Sequence, residues 1–430
     1  MIDINLIRNN PQLIQKAAKD KNVDINIEHI LEIDKKHKEL SISVQKLREE
    51  RNILTDSIKG KPTDEQIETG QKLKEKLEKE DNALKAVWIE LKENLYKIPN
   101  LPKEDVKTGK DESANEVIRK YKEPTKFNFK PLDHLDLGEA LDIIDVKNAS
   151  KVSGSRFGYL KNEGALMEFA LVQLAFEILA KEGFIPIIPP VLIDQSITQG
   201  LGYWQAGGNE DYYSVGEPKE GKSFYLIGTA EHSIVPIHKD EVLEKKDLPK
   251  RYVGFSSAFR REAGTYGKDT RGILRVHQFD KVEMVSFVSE ENDDKEHEYL
   301  LSLEEKLFQA LEIPYQVVKM CTGDLGFPIA RKYDLEAWLP GQGKYREVTS
   351  ASTATDFQSR RLNIKYLDDG EKKFVHILNG TAFAIGRTII AILENYQQKD
   401  GSVLIPKVLQ KYLPAGKASL NFEKIMSKKT

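Results

Sequence analysis

The chain has 430 residues, with 65 basic against 68 acidic side chains and a net charge of −3, so its overall balance does not announce a nucleic-acid binder and a local site would have to supply one. A single cysteine, Cys321, excludes a disulfide framework and a cysteine-rich zinc site and suits a reducing, cytoplasmic setting. No apolar run approaches the ~20 residues of a membrane span, and MIDINLIRNN carries no signal-peptide pattern; a cytoplasmic protein of roughly two to three domains, without a membrane partner, is expected.

Residues 1–26 predict a short capping helix, with Asn10-Pro11 at its start. From Ile30 the apolar spacing runs 3-4-3-4 through Ile33, His37, Leu40, Val44, Leu47, Arg51, Leu54 and Ile58. Only His37 and Arg51 interrupt what is otherwise a heptad seam. The pattern breaks at Lys59-Gly60-Lys61-Pro62. Thr63, with Gln66 three residues later, then predicts a capping box and a second helix carrying Leu73, Leu77, Leu84, Trp88, Leu91, Leu95 and Ile98 up to Pro99. The short loop makes the two helices antiparallel neighbours, each about 33 residues and on the order of 50 Å long. One apolar stripe per helix can bury the pair and little else, so residues 27–98 are expected to form an arm projecting into solvent. On this segment alone a dimerisation coiled coil or a spacer remains open. Lysines 72, 74, 76, 79, 85 and 92 could meet phosphates, but acidic neighbours nearly balance them. Pro99, Pro102, Pro124 and Pro131 mark a linker, giving expected domains of 1–110 and 111–430.

The second domain mixes helical and strand-like patterns, an α+β reading. Gly164 to Lys181 predicts an amphipathic helix, and the proline-rich stretch Gly183 to Leu192 an extended edge segment. Two strands follow, Tyr252 to Glu262 and Ile273 to Val288, joined by a long polar loop. Alternation in the first puts Val253, Phe255, Ser257 and Phe259 on one face and Arg260 and Glu262 on the other. The second puts Arg275, Phe279 and Glu283 on one face. Such a surface could hold a phosphate, a flat base and an ammonium group, although an isolated Arg-x-Glu is as readily a pair of surface charges. A charged helix at 293–312 and a strand at 344–350 with Arg346 and Glu347 come next. Leu378 to Arg387 predicts a strand turning into the helix Thr388 to Asn395. Small residues at Gly380, Ala382 and Gly386 let something approach the backbone closely, and Arg387 at a helix start suits an anion. No GxxxxGK[ST] is present, and no GxGxxG follows a strand, so a nucleotide would lie on an antiparallel platform with arginines. The tail after Pro414, ending MSKKT, is expected to fray.

Three of these stretches resemble the motifs of class II aminoacyl-tRNA synthetases: Lys181 to Leu192 (motif 1), Phe259-Arg260-x-Glu262 with Arg275-x-x-x-Phe279-x-x-x-Glu283 (motif 2), and Gly380 to Arg387 (motif 3). The resemblance narrows to the seryl-tRNA synthetases through Lys151 to Phe157, Gly228-Thr229-Ala230-Glu231, Phe259 to Gly264, Asp269 to Gly272, Val276 to Glu283, Thr322 to Gly326 and Asp356 to Arg361. It covers nearly the whole chain, and the helical hairpin is what sets that family apart.

The resemblance implies a fold of an antiparallel helical coiled-coil arm plus a class II core, an antiparallel sheet flanked by helices. It implies a serine–tRNA ligase that first forms seryl-adenylate from L-serine and ATP, then loads serine tRNA, with selenocysteine tRNA left open. Arg260 and Arg387 become the catalytic arginines, on the α- and γ-phosphates. The ATP site would comprise Arg260, Arg261, Glu262, Phe279, Glu347, Val348, Thr349, Ser350 and Arg387, with Phe279 on adenine. Thr229, Ala230, Glu231, Glu283 and Thr381 would hold serine, and Glu347 and Ser350 would ligate Mg²⁺; no zinc is implied. Arg271 would meet ATP or the tRNA acceptor end. The implied partners are serine tRNA, gripped at its long variable arm by the hairpin, and a second copy of the chain. Two departures stand out: Arg261 occupies a position where the family has a small residue and points by alternation to the opposite face, and Ala351 to Thr355 departs from the family pattern. His277 and Cys321 are read as structural. A carrier-loading paralogue would have no use for the arm. An idle scaffold would have no need of Arg260, Glu283 and Arg387.

Overall fold

The computed structural model describes residues 1–204, 208–219, 222–262, 271–414 and 418–420. Most of the polar loop after Glu262 and the tail from 421 lie outside them. The chain divides into two compact units, Met1–Leu101 and Pro102 onward.

In the first unit the expected capping helix is two helices, α1 (Ile4–Asn9) and α2 (Pro11–Asp20). Pro11 is the reason: it has no N–H to continue α1, yet it suits the first turn of α2. Two long helices follow, α3 (Ile27–Ser57) and α4 (Asp64–Tyr96). Arg8 clamps α1 to the base of α3, donating from Nε and Nη2 to Asp34 at 2.8 and 2.7 Å. The capping box forms as predicted: Gln66 N donates to Thr63 Oγ1 at 3.2 Å, and Thr63 N to Gln66 Oε1 at 2.9 Å. Ile30, Ile33, Val44 and Leu47 of α3 and Leu91 and Leu95 of α4 are buried along the seam. The seam drifts where the heptad reading assumed it straight. Trp88 is 46% exposed and Val87 takes the buried slot, because a straight helix falls out of a seven-residue repeat by about 20° per heptad. His37 still reaches the Trp88 ring, at 5.3 Å between centroids.

The second unit is built on an eight-stranded sheet. Its strands are β1 (Glu116–Tyr121), β2 (Ile185–Ile187), β3 (Lys250–Phe259), β4 (Gln278–Val288), β5 (Tyr315–Lys319), β6 (Arg331–Leu339), β7 (Lys344–Thr353) and β8 (His376–Ala384). Their order is β1-β5-β6-β7-β8-β4-β3-β2. Every pairing is antiparallel except β2 with β3. Helices α5 (Asn162–Lys181), α6 (Asp293–Ala310) and α7 (Ile385–Tyr396) bury Met167 and Leu171, Leu300 and Leu307, and Ile389 and Ile392 into the core beside the sheet. This is the α+β arrangement expected. β2 lies at the sheet's edge, where Pro186 can lack an N–H without leaving a ladder acceptor unmet.

Two expectations about the central hairpin change. Its first strand is most buried on the face opposite the expected one: Tyr252, Gly254, Ser256 and Ala258 are buried, whereas of Val253, Phe255, Ser257 and Phe259 only Val253 is fully so. That strand also ends at Phe259 and not at Glu262. Arg260 N still donates to His277 O at 2.9 Å, but Arg261 N turns away to Asp211 O at 2.8 Å, and Glu262 takes the left-handed backbone, φ +51°. The return strand starts at Gln278; Ile273, Leu274 and Val276 enter the core before it, outside any strand. Among the described residues no helix is long and apolar enough to cross a membrane.

Candidate active site

A cavity of about 330 Å³ opens on the face formed by β4, β7 and β8. Each strand reaches it by a different local device. In β4 the period of two carries Phe279, Lys281 and Glu283 onto one wall. In β8 the register slips at Ala382, so Glu283 pairs with Thr381 while Val282 pairs with Phe383. Thr381 Oγ1 then donates to Glu283 Oε2 at 3.0 Å. In β7 an extra residue, Val348, lies between Thr349 opposite Leu335 and Glu347 opposite Glu336. That bulge lets Glu347 and Ser350, an odd number of residues apart, both line the cavity.

One end is cationic and aromatic. Arg260 leans over the Phe279 ring, 5.3 Å from its centroid, and Nε donates to Gly228 O at 3.1 Å. Arg275 Nη1 donates to Glu262 Oε2 at 2.7 Å. Arg387, in the first turn of α7, donates from Nη1 to Glu347 Oε2 at 2.8 Å and to Glu347 O at 2.9 Å. Lys332 Nζ stands 3.6 Å from Glu347 Oε1 and 2.9 Å from Asp334 Oδ1. Burial pushes the Glu347 carboxyl up, but Lys332 and Arg387 outweigh it and hold the group well below the usual carboxylate range. Burial wins at Asp334, which rises to about 7 against the pull of Lys332.

The other end is carboxylate-rich and more enclosed. Glu231 is 3% exposed and Glu283 is 1% exposed. Glu231 accepts from Tyr203 at 3.0 and 3.1 Å and from Gln358 Nε2 at 3.0 Å. Burial raises it to about 7, with Glu283 adding and Gln358, Lys281 and Tyr203 opposing. Lys281 Nζ pairs with Glu283 Oε2 at 2.7 Å. His232 is kept neutral, since burial and then Arg260 and Lys281 push it well below its ordinary value. Chemically the cavity can stack a flat ring, neutralise phosphates at the arginine end, and hold an ammonium and a hydroxyl at the carboxylate end.

Of the residues predicted for this site, Thr229, Glu231, Arg260, Glu262, Phe279, Glu283, Glu347, Val348, Thr349, Ser350, Thr381 and Arg387 line the cavity together. Three do not line it. Ala230 is buried at the start of a short helix. Arg261 is exposed, with its guanidinium over Tyr213 at 5.9 Å. Arg271 is exposed beside the undescribed loop. Lys281, Lys332, Tyr203, Tyr212, Ser352 and Asn379 also line the cavity without having been named. Lys281 shares the alternation of Phe279 and Glu283 and was legible there; Lys332 and Tyr203 arrive from remote segments with no local signal. His277 Nδ1 lies 3.0 Å from Arg260 O, and Cys321 is fully buried. Among the described residues no group of three or more His, Cys, Asp or Glu could hold a metal. Glu347 and Ser350 nonetheless offer an ionised carboxylate and a hydroxyl on one rim, a donor set that fits Mg²⁺ when phosphate oxygens and water complete the shell.

The chain matches two family models: "Seryl-tRNA synthetase N-terminal domain" over residues 1–102 and "tRNA synthetase class II core domain (G, H, P, S and T)" over residues 213–396. It is 46% identical over 420 residues to a serine–tRNA ligase of Dictyoglomus turgidum, covering 96% of this chain and 98% of that one. Among solved structures it is similar to the seryl-tRNA synthetase of Pyrococcus horikoshii, determined with ATP: 40% identity, TM-score 0.89, 98% of this chain and 99% of that one. The cytoplasmic serine–tRNA ligase of Naegleria fowleri, determined with AMP, gives 31% identity and a TM-score of 0.87 over 98% and 99% of the two chains.

Proposed function

The chain belongs to the seryl-tRNA synthetases, and we propose that its two-ended cavity divides the substrates of serine activation, with ATP at the arginine end and serine at the Glu231–Glu283 end. The enzyme is a ligase that joins serine to tRNA. In the first step a serine carboxylate oxygen bonds to the α-phosphorus of ATP and pyrophosphate leaves. In the second a ribose hydroxyl at the tRNA 3′ end takes the seryl group and AMP leaves. Both steps need positioning and charge neutralisation more than an acid–base residue.

In this reading Phe279 stacks on adenine and Arg260, already over that ring, bonds the α-phosphate as charge builds there. Arg387 bonds the γ-phosphate, and Glu262 sits within the ATP site, held by Arg275. Glu347 and Ser350 would hold Mg²⁺, which when bound neutralises phosphate charge. Glu231 and Thr229 take the serine ammonium, and Glu283 with Thr381 takes the side-chain hydroxyl. A site that bonds that hydroxyl rejects alanine, because its own polar groups would be left unpaired. The observation that carries the division is the single wall of β4, which runs from Phe279 through Lys281 to Glu283 within one cavity.

The arm is assigned to serine tRNA at its long variable arm, and the active form to a homodimer in the cytoplasm. Serine-dependent ATP–pyrophosphate exchange, followed by charging of serine tRNA with and without residues 27–98, tests both halves. No exchange would overturn the catalytic reading; unimpaired charging without the arm would overturn the tRNA reading.

A further inference from the structure

Behind the serine end lies a carboxyl group that the mechanism above does not use. Glu304, on α6, is fully buried. Its Oε1 is packed so close to β8 that a Cβ on Gly380 would stand 3.0 Å from it and 3.1 Å from Met284 Cε. The missing side chain at 380 therefore makes the room this carboxyl occupies. The Thr349 hydroxyl of β7 stands beside Glu304, but its own proton is turned to Thr381 O. Neither Glu304 oxygen has a hydrogen-bond partner among the described residues. A buried polar group left so is destabilising, because it has lost its water and gained no partner. An ionised carboxylate could only compete for the Thr349 proton. A neutral acid can instead donate its own proton to a lone pair of Thr349 Oγ1 while that hydroxyl keeps its bond to Thr381.

We infer that Glu304 is a positioning residue for the serine end: its carboxylic acid holds the Thr349 hydroxyl against the Thr381 carbonyl from behind the sheet, and so fixes the Thr381–Glu283 pair. The neutral form is the one its surroundings favour. Burial pushes the group well above its ordinary value, against the lowering effect of the neighbouring Thr349 hydroxyl. The charges facing it, Glu283 on β4, Asp334 on β6 and Glu305 on its own helix, are all acidic and push the same way. The relay runs from Glu304 through Thr349 and Thr381 to Glu283, whose last link is the 3.0 Å bond from Thr381 Oγ1.

The inference rests on serine occupying the Glu283–Thr381 end, and exchange kinetics on the full-length enzyme separate the two. Glu304→Gln keeps a donor and should leave the serine KM within about twofold of wild type. Glu304→Met keeps the bulk without the donor and should raise the serine KM about tenfold at unchanged ATP KM. Thr349→Val should raise the serine KM likewise, and the double variant should raise it no further than either single change, as expected of links in one chain. An unchanged serine KM in Glu304→Met, a parallel rise in both KM values, or additive losses in the double variant would overturn the inference. Should Glu304→Met not fold, Thr349→Val decides alone, and an unchanged serine KM there overturns it. Glu283→Ala is the control: if it leaves serine KM unaltered, the assignment of serine falls and the inference with it, whereas failure of the Glu304 variants alone overturns only the relay.

Discussion

Arg387 Nη1 lies 2.8 Å from Glu347 Oε2, so a cation and a carboxylate assigned to different parts of the ATP–metal complex are held against each other across one rim of the cavity. The pair keeps both groups charged where burial would otherwise neutralise the acid. Arg387→Ala removes the proposed γ-phosphate ligand and leaves Glu347 to Lys332, 3.6 Å away. Exchange at saturating serine should fall by roughly 10²–10³ in kcat, the usual scale for losing one preorganised charge on a transition state. Arg387→Lys should recover little of it, since an ammonium has no planar fork. Full activity in either variant would remove Arg387 from the chemistry.

Arg260 stands at the tip of the central hairpin and Glu283 midway along its return strand, and the two should fail differently. Arg260→Ala loses the proposed α-phosphate contact and should depress exchange kcat by about 10²-fold at any serine concentration. Glu283→Ala loses the proposed acceptor of the serine hydroxyl and the partner of Lys281, and should mainly raise serine KM, by ~10²-fold or more. Initial-rate matrices over both substrates would expose the split. An equal loss of ATP affinity in both variants, with serine binding intact, contradicts the division of the cavity.

Glu231 provides a pH signature. Its value of about 7 means that the ionised form needed to hold an ammonium fills as pH rises through neutrality, so serine KM should fall from pH 6 to 8 and then level off. Glu231→Gln should show a high and flat KM. Stability runs the other way: the unfolded carboxyl ionises near its ordinary value of about 4.3, so between there and about 7 the unfolded chain releases its proton first and the folded state loses stability with rising pH. The substitution should therefore stabilise the protein more at pH 8 than at pH 5, as denaturant midpoints at the two pH values would register.

The arm offers a local test. Thr63→Ala removes one half of the capping box and should cost about 1 kcal/mol in the unfolding of that helical unit, with serine activation unchanged. Removing residues 27–98 should spare exchange and abolish charging of serine tRNA.

Much of this was legible along the chain. The heptad seam, the Thr63–Gln66 box, the edge position of Ile185–Ile187 and the face shared by Phe279 and Glu283 each depend on spacing within a few residues, and local periodicity carries such information. The drift that exposes Trp88 was not legible, because it accumulates over many turns. Nor was the early end of β3, because Arg261 leaves the ladder for Asp211, some fifty residues earlier in sequence.

The sequence by itself determined which chemistry is available: the cations, carboxylates and ring of the central hairpin, the arginine after β8, and an amphipathic arm with a single seam. The tertiary structure decided how those groups meet. Thr381 reaches Glu283 through a register slip at Ala382, Glu347 and Ser350 share a rim through the bulge at Val348, and Glu304 lies behind Gly380 because α6 packs there. Bulges and long-range packing are set by how strands and helices pair across the fold, and no period within one segment encodes its partner.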